Sequence, residues 1–187
     1  MKIIIFRHGE KQSKTESLDL EENRMICLTN KGIYQIQKLA NSLFKNHKDL
    51  IGLDYIYTSS LPRAIQSAEI VRKKLKIKEI KPNLLFKELY SFNDYSTPKE
   101  KRHEMLENAL KNLDYINETG YSYRQKATEV INFLKKEYSN GTEKIIISSH
   151  KALIMSIVMT ISNKNIEKIE EAGYFILDFD GKSFKIN

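Results

Sequence analysis

The chain of 187 residues has one cysteine, no tryptophan, three prolines and seven glycines. A lone thiol, Cys27, excludes an intramolecular disulfide and leaves no cysteine pair to hold a structural zinc, which suits a reducing compartment and points to the cytoplasm. Long hydrophobic runs are missing as well. The apolar stretch after Met1-Lys2 ends at Phe6, too short for a signal-peptide core, and no later stretch reaches the length that spans a bilayer, so no membrane partner is expected. Internal repeats, low-complexity tracts and linkers rich in Pro, Gly or Ser are absent, and the sequence reads as one soluble domain over 1–187. Arginine is scarce: six of the 31 basic residues, with 25 lysines scattered among the acids. The net charge of +7 invites a nucleic-acid partner, but that scatter describes a solvated lysine surface rather than a basic stripe, so none is expected. The four histidines, His8, His47, His103 and His150, show no close ligand spacing, and no metal site is expected. His47 and His103 lie in charged stretches and read as surface residues.

What is present is an alternation of strand and helix signals. Lys2 to Phe6 reads as a buried strand. Thr29 is placed to cap a helix whose apolar face is Ile33, Ile36, Leu39, Ala40, Leu43 and Phe44. Tyr55 to Thr58 is a second strand, and Ser60 with Pro62 marks the start of a helix carrying Ala64, Ile65, Ala68, Val71 and Leu75. Leu84 to Phe86 reads as a weaker third strand. A polar and aromatic stretch follows, then a charged helix opened by Thr97-Pro98 with Met105, Leu106, Ala109, Leu110 and Leu113 on one side. Ser122 opens another with Ala127, Val130, Ile131 and Leu134, and Gly141 ends it. Lys144 to Ser149 is the strongest strand, Ala152 to Ile161 a buried helix, and Tyr174 to Ile186 a hairpin turning at Asp180-Gly181. All three prolines are placed where an element should begin. This pattern predicts an α/β fold: a three-layer sandwich, with a mainly parallel sheet and helices on both faces.

Open sheets of this kind bind ligands beyond the carboxyl ends of their strands. Arg7-His8 follows the first strand, Ser59 and Arg63 the second, Glu88 the third and His150 the fourth, so these groups are predicted to converge. Arg7, Arg63, His8 and His150 suit phosphate: two guanidinium forks match the oxygens of a dianion, and positioning with charge neutralisation carries most of phosphoryl transfer. A neighbouring guanidinium keeps an imidazole unprotonated, which leaves His8 as the candidate nucleophile. Glu88 is the candidate proton donor to the leaving oxygen and base toward water, with His150 able to share that role. Glu10 is placed outside the direct contacts, because a carboxylate touching the phosphate would repel it.

These residues resemble a known group, the histidine phosphatase superfamily, also called the phosphoglycerate mutase-like family. Arg7-His8-Gly9-Glu10 resembles its RHGE motif, and Leu28-Thr29 with Gly32 and Gln35 resembles its L-T-x-x-G-x-x-Q helix start. Tyr57 to Ala68 resembles the Y-T-S-x-L-x-R-A-x-Q-T-A segment, and Ile146 to His150 the strand leading to a second histidine. The resemblance implies a phosphohistidine on His8, a phosphate pocket of Arg7, Arg63 and His150, no metal or organic cofactor, and Glu88 as the acid. The chain departs from the family's usual pattern at Lys11, Lys14 and Lys151 and in the segment after Glu88. The expected activity is phosphomonoester hydrolysis, on a small phosphorylated metabolite or else a phosphoprotein. The alternatives are a phosphoglycerate-type mutase, a phosphohistidine-protein phosphatase and a catalytically weak phosphate-binding regulator. An insert or cap is expected at about 88–120, where Tyr90, Phe92, Tyr95, Tyr115, Tyr121 and Tyr123 could cover the cleft.

Overall fold

A computed structural model describes residues 1–12, 25–89, 99–116 and 120–187, with the side chains of 99–103 outside that description. Six strands, β1 (Lys2–Arg7), β2 (Tyr55–Thr58), β3 (Glu79–Pro82), β4 (Lys144–Ser149), β5 (Tyr174–Phe179) and β6 (Phe184–Ile186), form one sheet in the order β3-β2-β4-β1-β5-β6. The first four run parallel; β5 lies antiparallel to β1, and β6 returns antiparallel to β5. The long returns between parallel strands are made by helices α1 (Asn30–Asn46), α2 (Pro62–Leu75), α3 (Lys99–Lys111) and α4 (Tyr123–Ser139), and α5 (Lys151–Ser162) leads from β4 to β5.

The central strands β1 and β4 carry unbroken apolar runs, Ile3–Phe6 and Ile145–Ile147, because both faces of the sheet are covered there. Ile4, Phe6 and Ile146 pack with Ile36, Leu39 and Leu43 of α1 and Val71 and Leu75 of α2. On the other face Ile3, Ile5, Ile145 and Ile147 pack with Leu110 of α3, Val130 and Leu134 of α4, and Leu153 and Ile157 of α5. The molecule is thus a three-layer α/β sandwich.

Local signals behave largely as the sequence suggests. Thr29 Oγ1 accepts the N–H of Gly32 at 3.0 Å, capping α1. Ser122 and Gln125 close a reciprocal capping box on α4. Four readings are corrected. Leu84–Phe86 is not a strand but a 3-10 turn, because Asn83 Oδ1 accepts the Leu85 N–H at 2.9 Å and folds the chain over. The third strand is instead the polar edge segment Glu79–Pro82, which alternation of apolar residues could not reveal because it packs a single isoleucine, Ile80. Pro82 therefore ends a strand rather than beginning one. The N-cap of α2 is Leu61, not Ser60, with Pro62 in the first turn. Ile33 leaves the apolar face of α1 and is 37% exposed.

Of the expected cap, residues 90–98 and 117–119 and the side chain of His103 lie outside the described residues, and with them Tyr90, Phe92, Tyr95 and Thr97-Pro98. Tyr123 belongs to the hydrophobic core, while Tyr115 is exposed.

Candidate active site

The register of the sheet creates the site. Arg7 is paired with Ser149 across β1 and β4, and Thr58 with Ser148 across β2 and β4. His8 and His150, the next residues on β1 and β4, therefore emerge side by side, with Ser59 after β2 one residue short of that level. Backbone bonds hold them there: His8 N–H donates to Ser149 O at 3.1 Å and Ser59 N–H to Ser148 O at 3.0 Å. The rings of His8 and His150 meet edge to face with centroids 5.1 Å apart. Arg63, in the first turn of α2 and 5% exposed, lies close enough to hold down the proton affinity of both rings, and Arg7 acts on both as well.

Hydrogen bonding fixes the tautomer of His8. Nδ1 lies 2.7 Å from Gly9 O, a pure acceptor, so Nδ1 carries the proton and Nε2 keeps its lone pair. Burial, then Arg63, Arg7 and Lys11, push the His8 pKa down to about 3, against the opposing pull of the Gly9 carbonyl. At neutral pH the imidazole is therefore uncharged. His150 is likewise held well below its usual value, by burial first and then by Arg63. Its Nε2 is 2.8 Å from Ser59 Oγ, which also accepts the Leu61 N–H at 3.3 Å. With one lone-pair side of that oxygen engaged by Leu61, its O–H is available to Nε2, which places the ring proton on Nδ1. That Nδ1 is buried and has no protein partner.

Glu88 arrives from the turn after β3. Its carboxyl receives the backbone N–H groups of Ala152 and Leu153 at the start of α5, yet burial outweighs those bonds and the nearby Arg63 and raises its pKa to about 7. Oε1 is buried and unpartnered. A carboxyl that holds a proton near neutrality, and that feels the same Arg63 and Arg7 as the two imidazoles, is suited to acid–base chemistry at this end of the sheet.

Several supporting residues lie in the motifs without having been assigned a task from the sequence. Gly9 and Gly32 touch so closely that a Cβ on Gly9 would stand 2.3 Å from Gly32 O, and one on Gly32 2.1 Å from Glu10 O. Gln35 Oε1 accepts the Glu10 N–H at 2.7 Å, and Gln66 Oε1 the Leu28 N–H at 2.8 Å. The glycine and glutamine spacing thus clamps the loop after β1 onto α1 and α2. Ser59, placed at the strand ends from the sequence but given no task there, is the hydrogen-bond partner of His150. Arg7 donates from Nη1 to Ile169 O at 2.8 Å and pairs through Nη2 with Glu171 at 3.5 Å, partners too remote in sequence to read.

Glu10 points its carboxylate at Thr29 and Lys31, away from the histidines. Lys151 is paired with Glu107 of α3 at 3.0 Å, so part of its charge is spent on the protein, and Lys14 lies outside the described residues. Among the described residues no cluster of three His, Cys, Asp or Glu side chains is arranged to hold a metal ion, and no helix is long and apolar enough to cross a membrane. A shallow cleft of about 510 Å³ lined by Met1, Lys2, Tyr138 and Lys185 lies at the opposite end of the parallel strands. Shape alone would point there; the unpartnered buried groups Arg7 Nε, Glu88 Oε1 and His150 Nδ1 point to the carboxyl end.

Comparison with known proteins bears on the fold and the family. A search of curated protein sequences found no match. Among solved structures, a mycobacterial glucosyl-3-phosphoglycerate phosphatase complexed with VO3 superposes with a TM-score of 0.74 at 14% identity, covering 100% of this chain and 96% of that one. The phosphoserine phosphatase of Entamoeba histolytica in complex with 3-phosphoglyceric acid gives 0.71 at 21%, covering 100% and 94%. YhfR of Bacillus stearothermophilus gives 0.70 at 20%, covering 99% and 94%. These likenesses establish the fold. The family model for the histidine phosphatase superfamily (branch 1) matches residues 3–187, and the chain belongs to that superfamily.

Proposed function

We propose that the protein is a phosphatase that hydrolyses phosphomonoesters through a phosphohistidine on His8 Nε2, without need of a metal. The observation that carries this reading is the pairing of a neutral His8, its Nε2 lone pair free, with a buried Glu88 whose pKa stands near 7. The Arg7 and Arg63 guanidiniums and the Nδ1–H of His150 neutralise the equatorial oxygens of the phosphoryl group. Nε2 attacks phosphorus, the ester P–O bond breaks, and Glu88 gives its proton to the departing oxygen. Glu88, now a carboxylate, takes a proton from water as that water attacks the phosphohistidine; the N–P bond breaks and inorganic phosphate leaves. The acid returns protonated.

Substrate is a small phosphorylated metabolite on this reading. The solved structures named for phosphatases of phosphoserine and glucosyl-3-phosphoglycerate favour that size class. The placement of Glu88 against α5 argues against a regulator that kept a phosphate pocket and lost its acid. Release of p-nitrophenol from p-nitrophenyl phosphate in the presence of a chelator tests the proposal. Wild-type turnover with loss in His8→Ala supports it; equal turnover in the variant refutes the nucleophile.

A further inference from the structure

The segment between α5 and β5 is wrapped around the loop that carries Arg7 and His8. Arg7 N–H donates to Gly173 O at 2.9 Å, and Ala172 N–H donates to His8 O at 3.3 Å. To make these bonds Ala172 takes a left-handed backbone, φ 59°, which a residue with a Cβ adopts at a cost, and Gly173 sits where a Cβ would stand 2.9 Å from Glu170 O. Backbone held in that state marks a segment whose position is over-determined by its surroundings.

Glu171 stands in the middle of this strap and uses both carboxylate oxygens. Oε1 faces Arg7 Nη2 at 3.5 Å, while Oε2 accepts from Gln35 Nε2 at 3.2 Å. The same Gln35 accepts the N–H of Glu10 through its other terminus at 2.7 Å. One carboxylate therefore links the Arg7 guanidinium, helix α1 and the backbone of the Arg7-His8-Gly9-Glu10 loop. With Nη1 given to Ile169 O at 2.8 Å, two of the guanidinium nitrogens are tied to the strap, and the buried Nε is left without a protein partner. A planar fork held at both Nη atoms has its rotation fixed, which is what a phosphate-binding arginine needs and what β1 alone cannot supply.

We propose that Glu171 is a positioning residue for phosphoryl transfer, acting through Arg7: together with Gln35 and the Ile169 carbonyl it sets the orientation in which Arg7 meets the phosphoryl oxygens. The inference rests on the phosphatase reading of the site.

A double-mutant cycle tests this. Glu171→Ala in the wild-type background is expected to lower kcat/KM for p-nitrophenyl phosphate by roughly ten- to a hundredfold, the scale of loss for a misplaced catalytic group. In an Arg7→Ala background the same change is expected to cost less than about twofold, because the group it orients is gone. Equal losses in the two backgrounds would overturn the proposal and leave Glu171 a structural member of the loop. Gln35→Ala in place of Glu171→Ala, expected to show the same dependence on Arg7, keeps the test decisive should the first variant fold poorly. A readout independent of turnover separates this inference from the functional one: the rise in melting temperature on adding orthovanadate. That rise is expected to shrink in Glu171→Ala and to be indifferent to Glu171 once Arg7 is alanine. Absence of turnover in the wild-type protein, with the vanadate pattern intact, would sink the phosphatase reading and spare the positioning role; indifference of the vanadate shift to Glu171 in the wild-type background would sink the positioning role.

Discussion

At the scale of single residues, the account turns on two groups whose surroundings drive their pKa values in opposite senses. Glu88 holds its proton up to about pH 7 in the folded chain, whereas in an unfolded chain it would lose it near 4.5. Between those values the unfolded state sheds the proton first, so stability falls as pH rises from about 4.5 to 7, by about 3 kcal/mol in all. Glu88→Gln keeps the shape and removes that cost. The variant is expected to melt higher than the wild type at pH 8, where thermal denaturation would show it, and to lose roughly 10²- to 10⁴-fold in kcat. In the wild type, kcat/KM is expected to decline as pH rises through about 7, where the free enzyme loses the leaving-group proton. His8 gives the opposite sign. Its folded pKa of about 3 lies below the ordinary 6.5, so the unfolded chain takes up a proton that the folded one refuses, and stability falls as pH drops below about 6.5. Each such histidine contributes about 1.4 kcal/mol per pH unit in that window, and His150 adds to the effect. Urea unfolding at pH 7.5 and 5.5 in a Glu88→Gln background, where the opposite contribution of that carboxyl is absent, would measure it, and adding His8→Ala is expected to shrink the loss at pH 5.5.

At the scale of elements, function depends on how closely α1 approaches the loop after β1. Gly32 lies in the first turn of that helix, and a methyl group there would overlap Glu10 O at 2.1 Å. Gly32→Ala is expected to push α1 outward, carrying Gln35 away from the Glu10 N–H, and to cost roughly a hundredfold in kcat/KM, the penalty of an ångström-scale displacement. Thr29→Ala, which removes the cap and the hydroxyl donated to the Glu10 carboxylate but leaves the approach of α1 unchanged, is expected to lower stability by about 1 kcal/mol with a smaller effect on rate. Steady-state kinetics and denaturation of the two variants side by side distinguish close approach from capping. The same elements show what could be read in advance. His8, Ser59 and His150 each follow an apolar strand, and strand ends in a parallel sheet converge, so their meeting was legible. β3 was not, because an edge strand carrying Glu79 and Lys81 has little apolar signal, while the run Leu84-Leu85-Phe86 mimics a strand and is folded by the Asn83 side chain. Glu171 was equally hidden: its partners Arg7 and Gln35 are brought to it only by the return of β5 alongside β1.

At the scale of the whole molecule, the site gathers positive charge inside a chain whose net charge is already +7. Arg7, Arg63 and Lys11 all act on the same pair of histidines, so an anion that enters relieves a repulsion stored in the fold. Inorganic phosphate or orthovanadate is therefore expected to raise the melting temperature, by the equivalent of about 2.7 kcal/mol at a hundred times its dissociation constant. Arg63→Ala is expected to abolish most of that shift in a thermal-shift titration. The surplus lysines add a diffuse field, and kcat/KM for a dianionic ester is expected to fall as salt rises from 10 to 300 mM while kcat stays nearly level.

The central claim is that His8 Nε2 carries the phosphoryl group. Mixing the enzyme with a ³²P-labelled phosphomonoester, quenching in alkali within milliseconds and mapping the labelled peptide tests it most directly, because phosphohistidine survives base. The account predicts label on the peptide containing His8, absent from His8→Ala and accumulating in Glu88→Gln supplied with a good leaving group. Rapid release of phosphate with no label on that peptide at any quench time would contradict it.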